Sequence, residues 1–192
     1  MAHLSREIID QMGFASVGRD VMISDRASFY GCARISLGDK VRIDDFCVLS
    51  AGVGGIDIGS YVHVAVYSSL IGSGKITIAD FANISSRVSI YSSSDDYSGA
   101  TMTNPTIPPA YTGVLHADVS IGRHVIIGSG AVVLPGVTLD EGVAIGALSL
   151  VSRNCHAFGV YAGTPAKRLK ERKRDLLSLE QLFVLEGGKQ DS

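Results

Sequence analysis

Histidine is the side chain best suited to proton transfer near neutral pH, and this chain has five histidines. Two of them stand where a reaction could use them. His63 directly precedes Val64, an inward position of the repeat described below, so its side chain is expected to point outward. His116 ends a long polar insertion, where the chain returns to that repeat. The others fall at terminal or solvent-facing positions: His3, His124 and His156.

Two adjacent carboxylates, Asp95 and Asp96, lie in the same insertion, followed by Tyr97. A carboxylate at its ordinary pKa is a weak base, and partial burial or a neighbouring acid would raise that pKa. Asp95 is therefore a third candidate base, although the pair could also hold a ligand, orient a histidine or simply be solvated turn residues. Asn83 occupies the outward position equivalent to His63, about 4.8 Å away along the sheet. We predict that Asn83, Asp96 and Tyr97 bind the substrate.

The elements that position these residues follow a six-residue repeat. From residue 119 to 155 a large aliphatic residue recurs at every sixth position, and a small residue follows each one by four positions. A period of six fits neither an α-helix nor a simple strand, and it is typical of a parallel β-helix. The aliphatic positions are Ile121, Ile127, Val133, Leu139, Ile145 and Val151.

The same spacing recurs from residue 17 to 90 in groups of three. Three sixes make one triangular turn of about 18 residues, so the chain is predicted to form about six stacked turns around one aliphatic column. An ordinary β-sandwich would require this spacing to be accidental. The phase of the repeat shifts only between groups, as expected if extra residues bulge out at one corner.

A single domain is predicted over residues 1–192, with residues 1–16 as an N-terminal helical cap and 17–156 as the β-helix. One long loop at 91–118 interrupts the repeat, and such an insertion in a compact domain is usually functional or disordered. Residues 157–192 are predicted as a C-terminal segment and helix. Within it, Ala166 to Leu185 is expected to be helical, with a basic first half and an apolar second half.

The amino-acid composition limits the classes of partner that the protein is expected to bind. The net charge of −2 gives no reason to expect nucleic acid, and no apolar run is long enough for a membrane span. The three cysteines, an odd number, argue against a disulfide framework. These features together favour the cytoplasm.

The repeats, the single loop and the segment Tyr161-Ala162-Gly163-Thr164-Pro165-Ala166-Lys167 together resemble the left-handed β-helix acyltransferases. Within these, the chain is most similar to the galactoside, maltose and xenobiotic acetyltransferase group, from about Val17 to Leu169. The resemblance implies an all-β, left-handed parallel β-helix and a homotrimer. It also implies that acetyl-CoA lies in a groove between adjacent prisms and gives its acetyl group to a hydroxyl or an amine.

The sequence departs from that family at one position. The family's usual catalytic histidine lies in the loop, five residues after the last aliphatic residue of the turn, and is often followed by proline. Here that count reaches Asp95, followed by Asp96. Either a carboxylate takes the role of base, another histidine does, or the acceptor needs little help. An amine only has to be neutral to attack a thioester, whereas a hydroxyl must lose its proton as it attacks.

Small residues one turn apart, followed by bases, mark the predicted binding site for acetyl-CoA. Small side chains would let the pantetheine arm lie flat, and basic side chains suit its phosphates. The predicted cofactor-binding residues are Gly128, Ser129, Ala131, Ala147, Ser149, Ala162, Gly163, Lys167 and Arg168. No metal site is predicted, because the β-helix carbonic anhydrases that resemble this fold need three histidines at a spacing this chain lacks.

The sequence therefore predicts an acetyl-CoA-dependent acetyltransferase that acts on a hydroxyl or amine of a sugar or sugar nucleotide, in polysaccharide or nucleotide-sugar biosynthesis. Two alternatives stay open at this point: O-acetylation of a xenobiotic or antibiotic, and a non-catalytic β-helix assembly subunit.

Overall fold

The computed structural model describes residues 2–187, so the outermost parts of the two predicted terminal segments lie outside the described residues. Most of its regular structure is short strands of two to five residues. In chain order the strands are β1 (Ser16–Val17), β2 (Met22–Ile23), β3 (Ser28–Tyr30), β4 (Ile35–Leu37), β5 (Arg42–Ile43), β6 (Val48–Ala51), β7 (Ile56–Ile58), β8 (His63–Val64), β9 (Ser69–Gly72), β10 (Ile76–Ile78), β11 (Asn83–Ile84), β12 (Ser89–Tyr91), β13 (Ser93–Ser94), β14 (Leu115–His116), β15 (Val119–Ile121), β16 (Ile126–Ile127), β17 (Val132–Val133), β18 (Thr138–Leu139), β19 (Ala144–Ile145), β20 (Leu150–Val151), β21 (Gly159–Ala162) and β22 (Lys167–Glu171).

The strands form the three faces of a prism. The first face is β1-β4-β7-β10-β15-β18, the second is β2-β5-β8-β11-β16-β19-β21-β22, and the third is β3-β6-β9-β12-β17-β20. Every neighbouring pair on these faces is parallel except β21 and β22. The predicted parallel β-helix is therefore confirmed. Six turns are complete, and β21, with the bridge between Leu139 and Cys155, begins a seventh.

The aliphatic column of the repeat is the core. Ile43, Val64, Ile84 and Ile127 all have 0% of their surface exposed. Burial of each such side chain contributes about 1.5–3 kcal/mol. The small residue four positions later is inward only where the repeat is unbroken. Val53 is 88% exposed because the extra residues between Leu49 and Ile58 push it outward at the corner between the third and first faces.

One corner of the prism carries a column of stacked rings. Tyr61, Phe81 and His124 all have positive φ near 60°, a conformation that is costly for residues other than glycine. Their rings stack at centroid distances of 5.0 and 5.1 Å, and this stacking helps to offset that cost. The edge of Phe183 packs against the column.

The N-terminal cap is the predicted short helix, α1 (Arg6–Gln11), which begins after Ser5. The hydroxyl of Ser5 accepts a hydrogen bond from the Ile8 N–H at 3.4 Å, as an N-cap does. Ile9 is buried against the first turn. The helix therefore covers the apolar end of the prism.

The C-terminal segment differs from the prediction in its first half. Lys167–Glu171 is the strand β22, antiparallel to β21, and only Asp175–Gly187 forms the helix α2. The predicted helix over Ala166 to Leu185 was wrong there because β21 is the last parallel strand of its sheet and leaves a free edge. Backbone pairing with that edge outweighs the good helix propensity of Lys and Arg.

Candidate active site

The outward side of the second face carries a column of side chains that are polar in one half of the column and apolar in the other. Arg42 pairs in register with His63, and His63 with Asn83, so these polar side chains are stacked neighbours as the sequence predicts for His63 and Asn83. The next positions in the column are apolar: Ile126, Ala144 and Val160. One continuous wall therefore offers hydrogen bonds and charge at one end and an apolar strip at the other.

Asp44 holds two members of the polar half. Its carboxylate accepts a hydrogen bond from Arg42 Nε at 2.7 Å and lies 2.8 Å from Nε2 of His63. Burial raises the pKa of the Asp44 carboxyl, but the hydrogen bonds from His63 and Arg42 outweigh it and hold the pKa below its usual value. Sequence reasoning missed Asp44, although its place directly after the inward Ile43 and beside His63 one turn later was a usable signal.

A second group of polar side chains lies in the loop. Ser93 and His116 pair across the small antiparallel ladder of β13 and β14, and Ser93 Oγ lies 2.7 Å from Nδ1 of His116. With Asp95 they line a cavity of about 640 Å³ whose other walls include Pro105 and Ile71. This cavity is large enough for part of a ligand, and it joins two of the three predicted candidate bases.

The neighbouring carboxylate of Asp96 is used inside the loop. It accepts hydrogen bonds from the N–H groups of Ser98 at 2.8 Å and Thr101 at 3.0 Å. Hydrogen bonds from Ser98, and then from Thr101, lower the pKa of Asp96 to about 2. A carboxylate with so low a pKa is a poor base, and its hydrogen bonds shape the loop. Tyr97 is almost fully exposed beside it.

The two polar groups are separate within one chain. The loop leaves the third face after β12 and rejoins the prism at β15 on the first face, whereas His63 and Asn83 lie on the second face. Because residues of both groups are predicted to serve one reaction, a shared site would need the loop of one copy to face the wall of another.

The predicted cofactor corner lies between the second and third faces. Gly128, Gly146 and Ala162 occupy equivalent positions in successive turns. The Gly128 N–H donates to the Ile145 carbonyl and the Gly146 N–H donates to the Tyr161 carbonyl, each at 2.8 Å. A Cβ on Gly128 would come within 2.6 Å of the Ala147 N atom, so this corner admits no side chain there. Ser129, Ala147 and Gly163 follow on the outer side of the same corner.

Two of the predicted cofactor residues face inward. The side chain of Ala131 is buried, and the buried hydroxyl of Ser149 donates to the Gly146 carbonyl at 2.7 Å and accepts from the Gly163 N–H at 3.1 Å. Their side chains therefore hold the corner together from within. The prediction of a cofactor groove at this corner depends on the outward residues.

The basic residues reach that corner along β22. Lys167 pairs with Ala162 and Arg168 with Tyr161. Arg168 also forms an ion pair with Glu171, 2.5 Å from Nη2 to Oε1. Both basic side chains are exposed, so the strand presents positive charge beside the column of small residues.

His124, Cys47 and Cys155 are covered by other parts of the chain. Nε2 of His124 lies 2.7 Å from Oε2 of Glu180 on α2, and the His124 side chain is only 11% exposed. The prediction that His124 faces solvent was wrong because α2 covers it. Burial raises the pKa of both Cys47 and Cys155 to about 11, which disfavours a thiolate nucleophile at either residue.

Within residues 2–187 no group of three or more His, Cys, Asp or Glu side chains is arranged to hold a metal ion. None of the helices in that part of the chain is long and apolar enough to cross a membrane.

A parallel β-helix built on a six-residue repeat is the fold of the hexapeptide-repeat transferases. The family model described as bacterial transferase hexapeptide (six repeats) matches residues 117–153. The chain is 61% identical over 183 residues, 95% of each chain, to dTDP-4-amino-4,6-dideoxy-D-glucose acyltransferase of Escherichia coli. It therefore belongs to the hexapeptide-repeat acyltransferases, and it is an enzyme that uses an acyl-CoA to acylate a sugar.

Solved structures agree with this assignment. AntD, an N-acyltransferase from Bacillus cereus solved with dTDP and 3-hydroxybutyryl-CoA, matches with a TM-score of 0.93 and 43% identity, over 97% of this chain and 98% of that chain. A variant of AntD was also solved with dTDP-4-amino-4,6-dideoxyglucose and coenzyme A. A galactoside acetyltransferase with coenzyme A shares the fold at a TM-score of 0.57 and 20% identity, over 88% of this chain and 71% of that chain.

Proposed function

We propose that this enzyme transfers an acetyl group from acetyl-CoA to the 4-amino group of dTDP-4-amino-4,6-dideoxyglucose. The observation that carries the proposal is the 61% identity, across 95% of both chains, to an acyltransferase of that sugar. The same nucleotide sugar is bound by the AntD variant. No comparable observation favours a xenobiotic acceptor or a non-catalytic subunit.

The wall of the second face supports this choice of substrates. A nucleotide sugar carries hydroxyls and a diphosphate, which suit the polar half with Arg42, His63 and Asn83. The acyl chain and pantetheine arm suit the apolar half and the adjoining corner at Gly128, Ser129, Ala147, Ala162 and Gly163. Lys167 and Arg168 would then meet the phosphates of coenzyme A.

An amine acceptor also fits the absence of the family's usual loop histidine. The ammonium form has to lose one proton, and the neutral amine then attacks the thioester without further activation. The candidate proton acceptors are His63 on the wall and His116 and Asp95 in the loop. Asn83, Asp96 and Tyr97 remain the predicted contacts of the acceptor.

We infer a homotrimer, in which the loop of one copy reaches the wall of the next. Support comes from the resemblance and from the separation of the two polar groups within one chain. Cytoplasmic localisation stays a prediction that depends on the three free cysteines.

The test is a panel of donors and acceptors in which thiol release from the acyl-CoA is followed and the product is weighed by mass spectrometry. The donors are acetyl-CoA and 3-hydroxybutyryl-CoA, and the acceptors are the dTDP-amino sugar, a free sugar and chloramphenicol. We expect the dTDP-amino sugar with acetyl-CoA to give the highest kcat/KM. Thiol release with chloramphenicol or a free sugar alone would contradict the proposal.

A further inference from the structure

We propose that Asp44 is the positioning residue of this reaction, and that it fixes His63 with Nδ1 as the atom that takes the proton from the ammonium group of the acceptor. This inference rests on the proposed function, because it supposes that a protonated sugar amine reaches the outward wall of the second face.

Asp44 is a buried residue. Its side chain is 7% exposed, whereas the side chains of its partners Arg42 and His63 are 44% and 39% exposed. A buried carboxylate is costly unless charged or hydrogen-bonding partners surround it. Its two oxygens are divided between the partners, Oδ1 to Arg42 and Oδ2 to His63. The Asp44 N–H also donates to the Val64 carbonyl at 3.0 Å, which fixes the backbone beside the ring.

The contact with Asp44 determines the tautomer of His63. An ionised carboxylate has no proton to give, so the 2.8 Å contact requires Nε2 of His63 to carry the hydrogen. In a neutral imidazole the other nitrogen, Nδ1, then holds the lone pair. Asp44 therefore selects which nitrogen can accept a proton, while the partly exposed ring can still meet a ligand.

The acceptor nitrogen loses two protons in the transfer, and each has a destination. Nδ1 takes one proton from the sugar ammonium, which leaves a neutral amine and an imidazolium that the Asp44 carboxylate stabilises. The amine lone pair forms the C–N bond to the thioester carbonyl carbon, and the C–S bond breaks with its electron pair leaving on sulfur. The second proton of the nitrogen goes to that thiolate, and His63 releases the first to water. The products are the amide, coenzyme A thiol and one proton.

The test uses Asp44→Asn, which keeps the shape of the side chain but replaces one acceptor oxygen by a donor NH₂. The amide oxygen can still accept from Arg42, so the NH₂ faces His63 and forces the hydrogen onto Nδ1. We expect kcat on the dTDP-amino sugar to fall about 10²-fold, with the KM for acetyl-CoA nearly unchanged. Asp39→Asn is the matched control, because Asp39 is also a corner aspartate paired with an arginine, Arg19, on another edge of the prism.

A double variant separates positioning from a general structural effect. His63→Gln removes the proton acceptor but leaves an NH₂ that can donate to Asp44, so the buried carboxylate keeps a partner. If Asp44 acts through His63, then Asp44→Asn added to His63→Gln should change kcat less than about twofold. A loss of kcat in the double variant equal to the product of the two single losses would overturn the proposal.

The tautomer is measured without any substrate, by nitrogen NMR of the ¹⁵N-labelled histidine rings. The unchanged protein should show His63 with its hydrogen on Nε2, and Asp44→Asn should show it on Nδ1. A hydrogen on Nδ1 in the unchanged protein would overturn the role of Asp44. Normal kcat in His63→Gln would overturn the role of His63, while failure of the proposed function would appear separately as no acylation of the amino sugar by the unchanged enzyme.

Discussion

At the scale of the residue, Ala147 gives the clearest test of the cofactor corner. It is exposed, has an ordinary φ, and lies beside the small residues predicted to line the groove. Ala147→Glu places bulk and negative charge beside the expected path of coenzyme A. We expect the KM for acetyl-CoA to rise about ten- to a hundredfold, because like-charge contacts of this kind cost a few kcal/mol.

The control for this change is Ala33→Glu. Ala33 is another exposed alanine, and it lies at the corner between the third and first faces. It should leave the KM for acetyl-CoA unaltered. Equal behaviour of the two variants, with melting temperatures unchanged, would move the cofactor away from the corner of Gly128 and Ala147.

Individual residues were predictable where the repeat fixes their direction. His63 and Asn83 stack outward because each precedes an inward aliphatic residue. Ser149 was predicted to line the cofactor site because it is small, and the sequence did not indicate that its hydroxyl ties two turns together. The phase of the repeat gives the direction of a side chain but not the partners of its polar atoms. For this reason the contacts of Asp44 could not be predicted from the repeat.

At the scale of the element, the hydrogen bonds of Asp96 stabilise the loop in a pH-dependent way. The folded pKa of Asp96, about 2, is below its ordinary value of 3.8, so its hydrogen bonds stabilise the loop fully above about pH 4. That stabilisation is lost as the pH falls from about 4 towards 2. We expect Asp96→Asn to lower the melting temperature at pH 7, with the difference from the unchanged protein shrinking over that acid range.

The comparison is differential scanning calorimetry at several pH values, with Asp95→Asn as the neighbouring control. Asp95 should show no such pattern, because Asp96 makes the carboxylate hydrogen bonds to Ser98 and Thr101. If Asp96→Asn lowers the melting temperature by the same amount at pH 3 and pH 7, the Asp96 carboxylate does not stabilise the loop in this way.

The helix α2 is held to the prism by Glu180. Its carboxylate binds both Arg123 and His124, and the His124 ring stacks on Phe81 in the ring column. Glu180→Gln removes the charge from this contact, so we expect α2 to detach more often and to be cleaved faster in limited proteolysis. Glu186→Gln, at an exposed position on the same helix, should be cleaved at the unaltered rate, and matching rates for both variants would contradict this role.

Neither the docking site of α2 nor the strand β22 could be predicted from the repeat. The segment from Lys167 has the composition of a helix, and only the free edge of β21 makes it a strand. Contacts between an irregular terminal segment and the prism depend on tertiary geometry. The period of six determines only how the turns stack.

At the scale of the whole molecule, the aliphatic column was predictable and the assembly stays a prediction. Exposed apolar side chains, such as Leu148 at 76% and Leu185 at 68%, are consistent with further burial between copies. We expect sedimentation equilibrium to give three times the chain mass of 20.2 kDa. A monomer whose mass does not change with concentration would rule out the shared site.

The proposed function requires that the acceptor group is an amine on a dTDP-linked sugar. The most direct measurement is kcat/KM with acetyl-CoA for two matched acceptors: dTDP-4-amino-4,6-dideoxyglucose and its analogue with a hydroxyl in place of the 4-amino group. A site that only has to accept one proton from an ammonium group gives little help to a hydroxyl, so we predict that the amine is preferred by about 10²-fold or more. Equal values for the two acceptors, or a preference for the hydroxyl, would contradict the account.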